Sequence, residues 1–221
     1  AMHTHLRRSV LLPQPRGMGG WVQAGIGPEI EITEASVYHA INNAAAFGAE
    51  VFFIDASWYG APHSSWWDTC GDWNVSLERF PGGLKPIRDA AHAKGMLFGL
   101  WMDAERIGAK SRVAQEHPEW WALAYNGDRE PLGGLIDLTQ PAAAQWMEEQ
   151  IARVIEENEI EFFRLDYNTG DLVPGFAAAR DGYLENGYWR YYEAQYGIYE
   201  RLRKRFPNVI LENCAGGGGR T

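Results

Sequence analysis

Several short apolar runs in this chain end in acidic side chains, and carboxylates so placed can act as nucleophiles, acids or hydrogen-bond acceptors. The clearest is EFFRLDYN at residues 161–168, where Asp166 follows the apolar stretch and Arg164 lies two residues before it. Ionised side chains are costly to bury unless they are paired, so this run predicts a polar opening at the end of a strand. A carboxylate kept ionised there by an arginine can attack the anomeric carbon of a sugar. The alternative is a purely structural Arg–Asp pair.

Acidic residues also end the other apolar runs, and they are Asp55, Asp103, Glu105 and Glu212. Asp55 ends the run EVFFIDAS at residues 50–57, and its carboxylate can accept hydrogen bonds from ligand hydroxyls. A cap on the following loop is the alternative role for Asp55. Trp58 comes three residues later and offers an apolar platform for the face of a sugar ring.

A tryptophan-rich segment follows Asp55: WYGAPHSSWWDTCGDW contains Trp58, Trp66, Trp67 and Trp73. Its many Gly, Ser and Asp residues predict a loop and argue against a helix. Core packing would account for one or two of these indoles. Four of them in one loop after a strand indicate a wall that binds carbohydrate.

Two other patterns give weaker evidence of a functional site. His63, Asp68 and Cys70 match no zinc spacing and no further Cys/His pair completes a ligand set, so the sequence does not favour a metal site. The run CAGGGGR at residues 214–220 lacks the Lys-Ser/Thr of a P-loop. Its glycines instead favour close approach of the backbone to a ligand.

These residues require a scaffold that brings strand ends together, and the chain supplies alternating strand-like and helix-like segments. The predicted strands are residues 19–26, 50–57, 95–105, 161–168 and 208–219. They are rich in Val, Ile, Leu and Phe without polar alternation, as in parallel strands that are covered on both faces. Amphipathic stretches lie between them, and Thr33 is placed to cap the first, which ends at Gly48. The pattern predicts an α/β fold of repeated β-α units.

The acidic ends of four successive strands decide between two α/β architectures. In a (β/α)8 TIM-type barrel the C-terminal strand ends share one rim, which carries the active site. In an open doubly wound sheet they would meet at a switch point. Acidic ends in succession favour the barrel, with about the first five β-α units present in this chain. We therefore expect residues 1–18 to be an N-terminal extension and residues 19–221 a partial catalytic barrel.

Composition limits the partners that the protein can have. The 221 residues are 46% hydrophobic, enough for one sizeable core, and a formal charge of −9 argues against nucleic acid and anionic membrane surfaces. No run reaches the roughly 20 apolar residues of a membrane span, and AMHTHLRRSV lacks the apolar region of a secretory signal.

Two cysteines make no disulfide framework, so a cytoplasmic location is expected. The unpaired sheet edges of a partial barrel favour self-association into a homo-oligomer.

Four stretches together resemble glycoside hydrolase family 36, the α-galactosidase family. EVFFIDASWYG is similar to the family's strand ending in Asp-Asp-Gly-Trp-Phe-Gly, and FFRLDYN is similar to its Lys-Trp-Asp-x-Asn. GDWNVSLERFPGGLKPIRDAAHAKGMLFGLWMDAE resembles a stretch that runs from Gly-Asp-Trp to Glu-Pro-Glu, and LENCAGGGGR resembles Glu-x-Cys-x-x-Gly-Gly-Gly-Arg. The resemblance covers residues 20–220 in the right order.

The resemblance implies a retaining glycosidase with a (β/α)8 barrel and no metal or organic cofactor. Its substrate would be a terminal α-linked galactose or N-acetylgalactosamine of an oligosaccharide. Asp166 takes the position of the nucleophile. The positions that the motifs and the tryptophan-rich segment assign to substrate binding are Asp55, Trp58, Trp73, Trp101, Arg164, Asn168, Cys214 and Gly217. Of these, Cys214 and Gly217 match the turn beside the sugar's C2 substituent.

Three departures from the family pattern bear on sugar choice. Ala56 stands where most members carry a second Asp, Arg164 replaces a Lys, and MDAE at residues 102–105 replaces the Glu-Pro-Glu stretch.

The family's general acid/base is an Asp after the next strand, beyond Thr221, so we expect the 221-residue chain by itself to have little glycosidase activity. Two alternatives stay open: transglycosylation of the raffinose-synthase type, and a carbohydrate-binding protein without catalysis.

Overall fold

The centre of the structure is a parallel β-sheet flanked by helices. The computed structural model describes residues 21–24, 32–123, 131–168, 177–180 and 183–215. In chain order its elements are β1 (Trp21–Ala24), α1 (Glu34–Ala46), β2 (Val51–Ile54), α2 (Trp66–Thr69), α3 (Lys85–Ala93), β3 (Leu97–Met102), α4 (Arg112–Glu116), a 3-10 turn (Pro118–Trp120), β4 (Trp121–Leu123), β5 (Pro131–Ile136), α5 (Pro141–Asn158), β6 (Phe162–Leu165), β7 (Ala177–Arg180), β8 (Tyr183–Asn186), α6 (Gly187–Arg205) and β9 (Ile210–Asn213).

The five predicted strands form one sheet in the order β1-β2-β3-β6-β9, and each neighbouring pair is parallel. This confirms the predicted succession of β-α units. The strands are four to six residues long, shorter than the predicted runs, because the outer residues of each run belong to the loops. All residues of β2 are buried, which accounts for its unbroken apolar pattern.

The first helix begins and ends where the sequence indicates. The Thr33 hydroxyl accepts a hydrogen bond from the Ser36 backbone N–H, and the Ser36 hydroxyl accepts one from the Thr33 backbone N–H. These two bonds satisfy N–H groups that the helix itself leaves without partners. The buried side chains of α1 recur at helical spacing and are Val37, Ile41 and Ala44. Gly48 follows the last turn with a φ of 76°.

Two antiparallel hairpins were not predicted from the sequence. β4 pairs with β5 after the third strand of the sheet, and β7 pairs with β8 before α6. The sequence of β5 is PLGGLI, whose proline and glycines are typical of loops. The two strands β7 and β8 are only four residues long each, too short for a clear periodic signal.

The tryptophan-rich segment contains a short helix, which corrects the prediction that this segment has none. The helix α2 is a single turn at Trp66–Thr69. The Trp66 ring packs edge-on against Trp101, with ring centroids 5.3 Å apart, and edge-on against Trp67 at 4.7 Å. Packing between indoles therefore outweighs the local preference of this segment for loop.

Several predictions fall wholly or partly on residues that are not described, among them the glycine run at residues 216–219 and the outer ends of the predicted strands 19–26 and 208–219. The N-terminal extension at residues 1–18 lies outside the described ranges, and so does Gly217. Within those ranges, no helix is both long enough and apolar enough to cross a bilayer.

Candidate active site

The register of the strands brings several of the predicted site residues to the C-terminal edge of the sheet. Trp101 of β3 is level with Arg164 of β6, and Arg164 is level with Glu212 of β9. Side chains two residues apart on a strand point to the same face. Asp166 and Cys214 therefore continue this face one step further, past the C-terminal ends of their strands.

Asp166 is half-buried at the end of β6, and its carboxylate accepts several hydrogen bonds. The Trp101 indole N–H donates to Oδ2 over 3.0 Å, and the Asn168 side-chain amide donates to the same oxygen over 3.1 Å. The backbone N–H of Tyr167 donates to Oδ1 over 2.9 Å. Burial acts to raise the pKa of Asp166, but these hydrogen bonds, above all the one from Trp101, hold its pKa below the usual value. Asp166 is therefore ionised at neutral pH.

Arg164 lies on the same face as Asp166 but contacts more than that one carboxylate. Its Nη1 lies 3.4 Å from Glu212 Oε2, and its Nη2 donates to the Cys214 sulfur over 3.2 Å. The charge of Asp166 also acts on the arginine. Arg164 thus acts on Asp166, Glu212 and Cys214 together, and hydrogen bonds also contribute to keeping Asp166 ionised. Burial raises the pKa of Glu212, and Arg164 opposes that rise.

Asp55 follows β2 and lies close enough to Arg164 and Asp166 for their charges to act on it. Its Oδ1 accepts a hydrogen bond from the Ala56 backbone N–H over 2.8 Å, as a cap on the loop would. Burial raises the pKa of Asp55 to about 6, the Ala56 hydrogen bond and the charge of Arg164 lower it, and the charge of Asp166 raises it. The structure therefore brings Asp55 and Asp166 to the same end of the sheet.

A buried ion pair lies behind Asp166. Asp103 is 0% exposed and Arg106 is 3% exposed, and Arg106 Nε lies 3.5 Å from Asp103 Oδ2. The same Oδ2 accepts the backbone N–H of Asn168 over 3.1 Å, while Arg106 Nη2 donates to the Asn168 carbonyl over 3.1 Å. Burial raises the pKa of Asp103 to about 7, and the charge of Arg106 opposes that rise.

Glu105 joins the turn after β3 to the helix α6. Its side chain is 0% exposed, and it accepts a hydrogen bond from the Tyr191 hydroxyl and one from Gln195 Nε2, the latter over 2.9 Å. Both donors belong to α6. A buried carboxylate is tolerated when donors satisfy it, so this contact fixes the turn that carries Asp103 and Arg106.

Two tryptophans that were predicted to face a sugar lie in the core instead. Trp58 is 0% exposed and Trp73 is 1% exposed, and their rings stack with centroids 6.3 Å apart. The Trp58 indole N–H donates to the Trp101 carbonyl over 2.8 Å. This corrects the predicted wall for these two residues, because protein covers both rings. Trp101 is also buried, at 1% exposed, and it contacts Asp166 through its N–H.

Arg106 was not singled out from the sequence, although one signal was present. It follows Asp103 by three residues, the spacing of neighbours on a helical turn. Its guanidinium carbon lies 3.4 Å from the centre of the Trp67 ring, and Trp67 is 38% exposed. Trp67 is thus the member of the predicted wall that is most open to solvent, and its ring is stacked on an arginine of the site.

Two of the three residues considered as metal ligands, Asp68 and Cys70, make other contacts. Asp68 pairs with Lys110 at 2.9 Å, and the sulfur of Cys70 lies 3.4 Å from the Tyr59 hydroxyl. Among the side chains that the structure describes, no group of three or more His, Cys, Asp or Glu residues is arranged to hold a metal ion.

A parallel sheet of successive β-α units with acidic side chains at its C-terminal rim defines the (β/α)8 class of catalytic barrel, part of which lies in this chain. The chain belongs to the Melibiase family, whose family model matches residues 27–221. The match agrees with the motif resemblance to the α-galactosidases.

The relatives found by sequence are α-galactosidases. α-Galactosidase 2 of Pediococcus pentosaceus is 33% identical over 196 residues, which cover 86% of this chain and 26% of that protein. α-Galactosidase Mel36A of Lactobacillus acidophilus is 28% identical over 197 residues, again 86% of this chain and 26% of the relative. The chain thus spans about a quarter of the length of the relatives that it matches.

Solved α-galactosidase structures share the fold. The enzyme from Lactobacillus brevis has a TM-score of 0.73 and 28% identity, and the match covers 90% of this chain and 27% of that one. A variant of AgaA from Geobacillus stearothermophilus, solved in complex with raffinose, has a TM-score of 0.74 and 25% identity, covering 86% of this chain and 26% of that one. These matches confirm the predicted fold class.

Proposed function

We propose that the protein is a retaining glycosidase of the α-galactosidase type in which Asp166 is the nucleophile. The observation that supports this most is that the half-buried carboxylate of Asp166 is ionised and is held by hydrogen bonds from Trp101 and Asn168. Asp55 lies at the same end of the sheet, close enough for its charge and that of Asp166 to interact. A carboxylate that stays ionised and has one fixed orientation is suited to attack an anomeric carbon.

The proposed reaction proceeds by two displacements. A carboxylate oxygen of Asp166 forms a bond to C1 of the sugar while the glycosidic C–O bond breaks, and a second carboxyl group protonates the departing oxygen. Water, deprotonated by that second group, then attacks C1 and releases Asp166. We place the second carboxyl after the next strand of the barrel, beyond Thr221.

The proposed substrate is a terminal α-linked galactose or N-acetylgalactosamine of an oligosaccharide. The names of the relatives and the raffinose bound to the AgaA variant support a galactoside. Asp55 accepts hydroxyl hydrogen bonds in this proposal, and with Ala56 beside it the site has one acceptor fewer than the family pattern. In this proposal Arg164 and Cys214, which contact each other, also bind the sugar, and the motif resemblance assigns Gly217 to sugar binding as well.

The test compares the whole protein with its Asp166→Asn variant on an aryl α-galactoside. We expect Asp166→Asn to lower kcat by at least about 10³-fold, because the nucleophile is lost. The matched control is Asp89→Asn on α3, which changes an exposed aspartate paired with Lys85 and should leave kcat unchanged.

The stereochemistry of the first product checks the mechanism. Proton NMR during turnover should show the α-anomer of galactose before mutarotation, since two displacements retain configuration. Early appearance of the β-anomer, or full activity of the Asp166→Asn variant, would contradict the proposal. A larger oligosaccharide formed from a sugar acceptor would favour transglycosylation, and sugar binding without any turnover would favour the binding protein.

A further inference from the structure

The Asp103–Arg106 ion pair holds both backbone groups of a single neighbouring residue. Asp103 Oδ2 accepts the N–H of Asn168 over 3.1 Å, and Arg106 Nη2 donates to the C=O of Asn168 over 3.1 Å. Both side chains of the pair are almost completely buried, so little water competes for these bonds. Hydrogen bonds from a charged donor such as the Arg106 guanidinium are about twice as strong as neutral ones. The backbone of Asn168 is therefore held at two points.

The side chain of the clamped residue reaches Asp166. Asn168 Nδ2 donates to Asp166 Oδ2 over 3.1 Å, the same oxygen that accepts the Trp101 N–H. We propose that Asp103 and Arg106 are positioning residues, which clamp the backbone of Asn168 so that its amide fixes the carboxylate of Asp166. The kinetic part of this proposal rests on the proposed function, whereas the clamp rests on the geometry alone.

The clamp is itself held from two other directions. The Arg106 guanidinium lies over the Trp67 ring at 3.4 Å, and the Arg106 backbone pairs with Leu135 of β5 in an antiparallel bridge. The intervening Glu105 is fixed by donors from α6. The pair is thus fixed between the tryptophan-rich segment and the hairpin strand β5. An ion pair that is only exposed to solvent would have no such contacts.

The positioning role explains why an uncommon pair is buried at this point. Buried ion pairs are often no more stable than apolar replacements, so burial alone gives no reason for one. A pair that must hold an N–H and a C=O at the same time needs one acceptor and one donor, and Asp103 and Arg106 supply them. An apolar pair of the same volume would leave the Asn168 backbone without these partners.

The test removes each half of the clamp in the whole protein. Asp103→Ala deletes the acceptor for the Asn168 N–H. Arg106→Met deletes the donor to its carbonyl and keeps apolar packing on Trp67. We expect this variant to fold even if Asp103→Ala does not, because the Asp103 carboxyl that it leaves can bind a proton, whereas Asp103→Ala leaves a buried guanidinium without its carboxylate. The matched controls are Asp137→Ala and Arg79→Met. Asp137 is 6% exposed and serves Thr139 and Gln140, and Arg79 is 7% exposed and donates to the carbonyls of residues 32 and 61.

The first measurement is hydrogen–deuterium exchange at the Asn168 amide, which needs no enzyme activity. We expect exchange to be at least about 10-fold faster in Asp103→Ala and Arg106→Met, and within about twofold of the original protein in the two controls. Unchanged protection of this amide in Arg106→Met and Asp103→Ala would overturn the clamp.

The second measurement is kinetic and uses an aryl α-galactoside. We expect kcat to fall about 10- to 100-fold in both clamp variants while KM changes less than about threefold, because a displaced nucleophile slows the chemical step. In an Asn168→Ala background the clamp variants should lower kcat no further, since the amide that they position is already gone.

The outcomes separate the two proposals. Losses of kcat that multiply in the Asn168→Ala background show that Asp103 and Arg106 act independently of Asn168, and they refute the positioning role. If the original protein does not cleave the galactoside at all, the proposed function fails, and the exchange rate of the Asn168 amide still decides whether the clamp exists.

Discussion

Replacing Trp58 by Phe separates a packing role from a sugar-binding role. The sequence assigns Trp58 to a wall that faces sugar, whereas the structure buries its ring completely and uses its N–H to satisfy the Trp101 carbonyl. Removing that donor leaves a buried carbonyl without it, at a cost of about 1–3 kcal/mol. The smaller phenyl ring leaves about 40 Å3 unfilled, which at about 24 cal/mol per Å3 adds about 1 kcal/mol. We therefore expect Trp58→Phe to lower the free energy of unfolding by about 2–4 kcal/mol.

Urea unfolding of the whole protein, followed by far-ultraviolet circular dichroism, measures this loss. The matched control is Trp189→Phe on α6, where the side chain is 67% exposed and the change should stay within about 0.5 kcal/mol. The KM for an aryl α-galactoside should change less than about twofold in Trp58→Phe. An unchanged free energy of unfolding together with a tenfold rise in KM would refute the packing role and support the predicted role of Trp58 in binding sugar.

Three further changes test other parts of the structure. Asp55→Asn should raise the free energy of unfolding by about 1–3 kcal/mol at pH 7.5 and leave it unchanged near pH 4. The pKa of Asp55 in the folded protein is raised to about 6, so the original protein loses stability as the pH rises from about 4 through 6 and the variant does not. Urea unfolding at both pH values measures this difference. Thr33→Ala should cost about 1 kcal/mol in the same assay, because the helix N-cap is lost. Gly99→Ala places a Cβ 2.5 Å from the Phe162 carbonyl and should cost at least about 3 kcal/mol or abolish soluble protein. The control Gly197→Ala on α6 meets only the far end of the Arg201 side chain, at 3.1 Å, and should change the free energy of unfolding by no more than about 1 kcal/mol.

The sheet and its acidic rim could be predicted because their signals are local. An unbroken apolar run identifies a strand that is covered on both faces, and the residue that ends the run falls at the rim wherever the strand is placed. Asp55 and Asp166 are predictable in this way, and so is Thr33, whose cap depends on residues three positions away. Strand order then follows from the parallel β-α connections, with no need to know any side-chain contact.

The side-chain contacts of the site could not be predicted, because they join distant parts of the chain. An indole in a segment rich in Gly and Ser has the same local sequence whether it faces a ligand or the core. Trp58 is buried where its N–H meets the Trp101 carbonyl of β3, and Trp73 is buried against Trp58 and Tyr59. The bonds of Asn168 to Asp103 and Arg106 span 65 and 62 residues. No pattern within one element reports such pairings.

The contact between Glu105 and α6 has a consequence for the order in which the protein is made. The Tyr191 and Gln195 donors follow Glu105 by 86 and 90 residues, so a ribosome must add that much chain before the carboxylate receives either of them. Until then the Glu105 side chain lacks both of these donors, although the strands up to β6 have already been made. Synthesis of α6 is therefore required before Glu105 receives these donors, and a pause in translation before this helix would leave both the turn after β3 and the fifth strand, β9, incomplete.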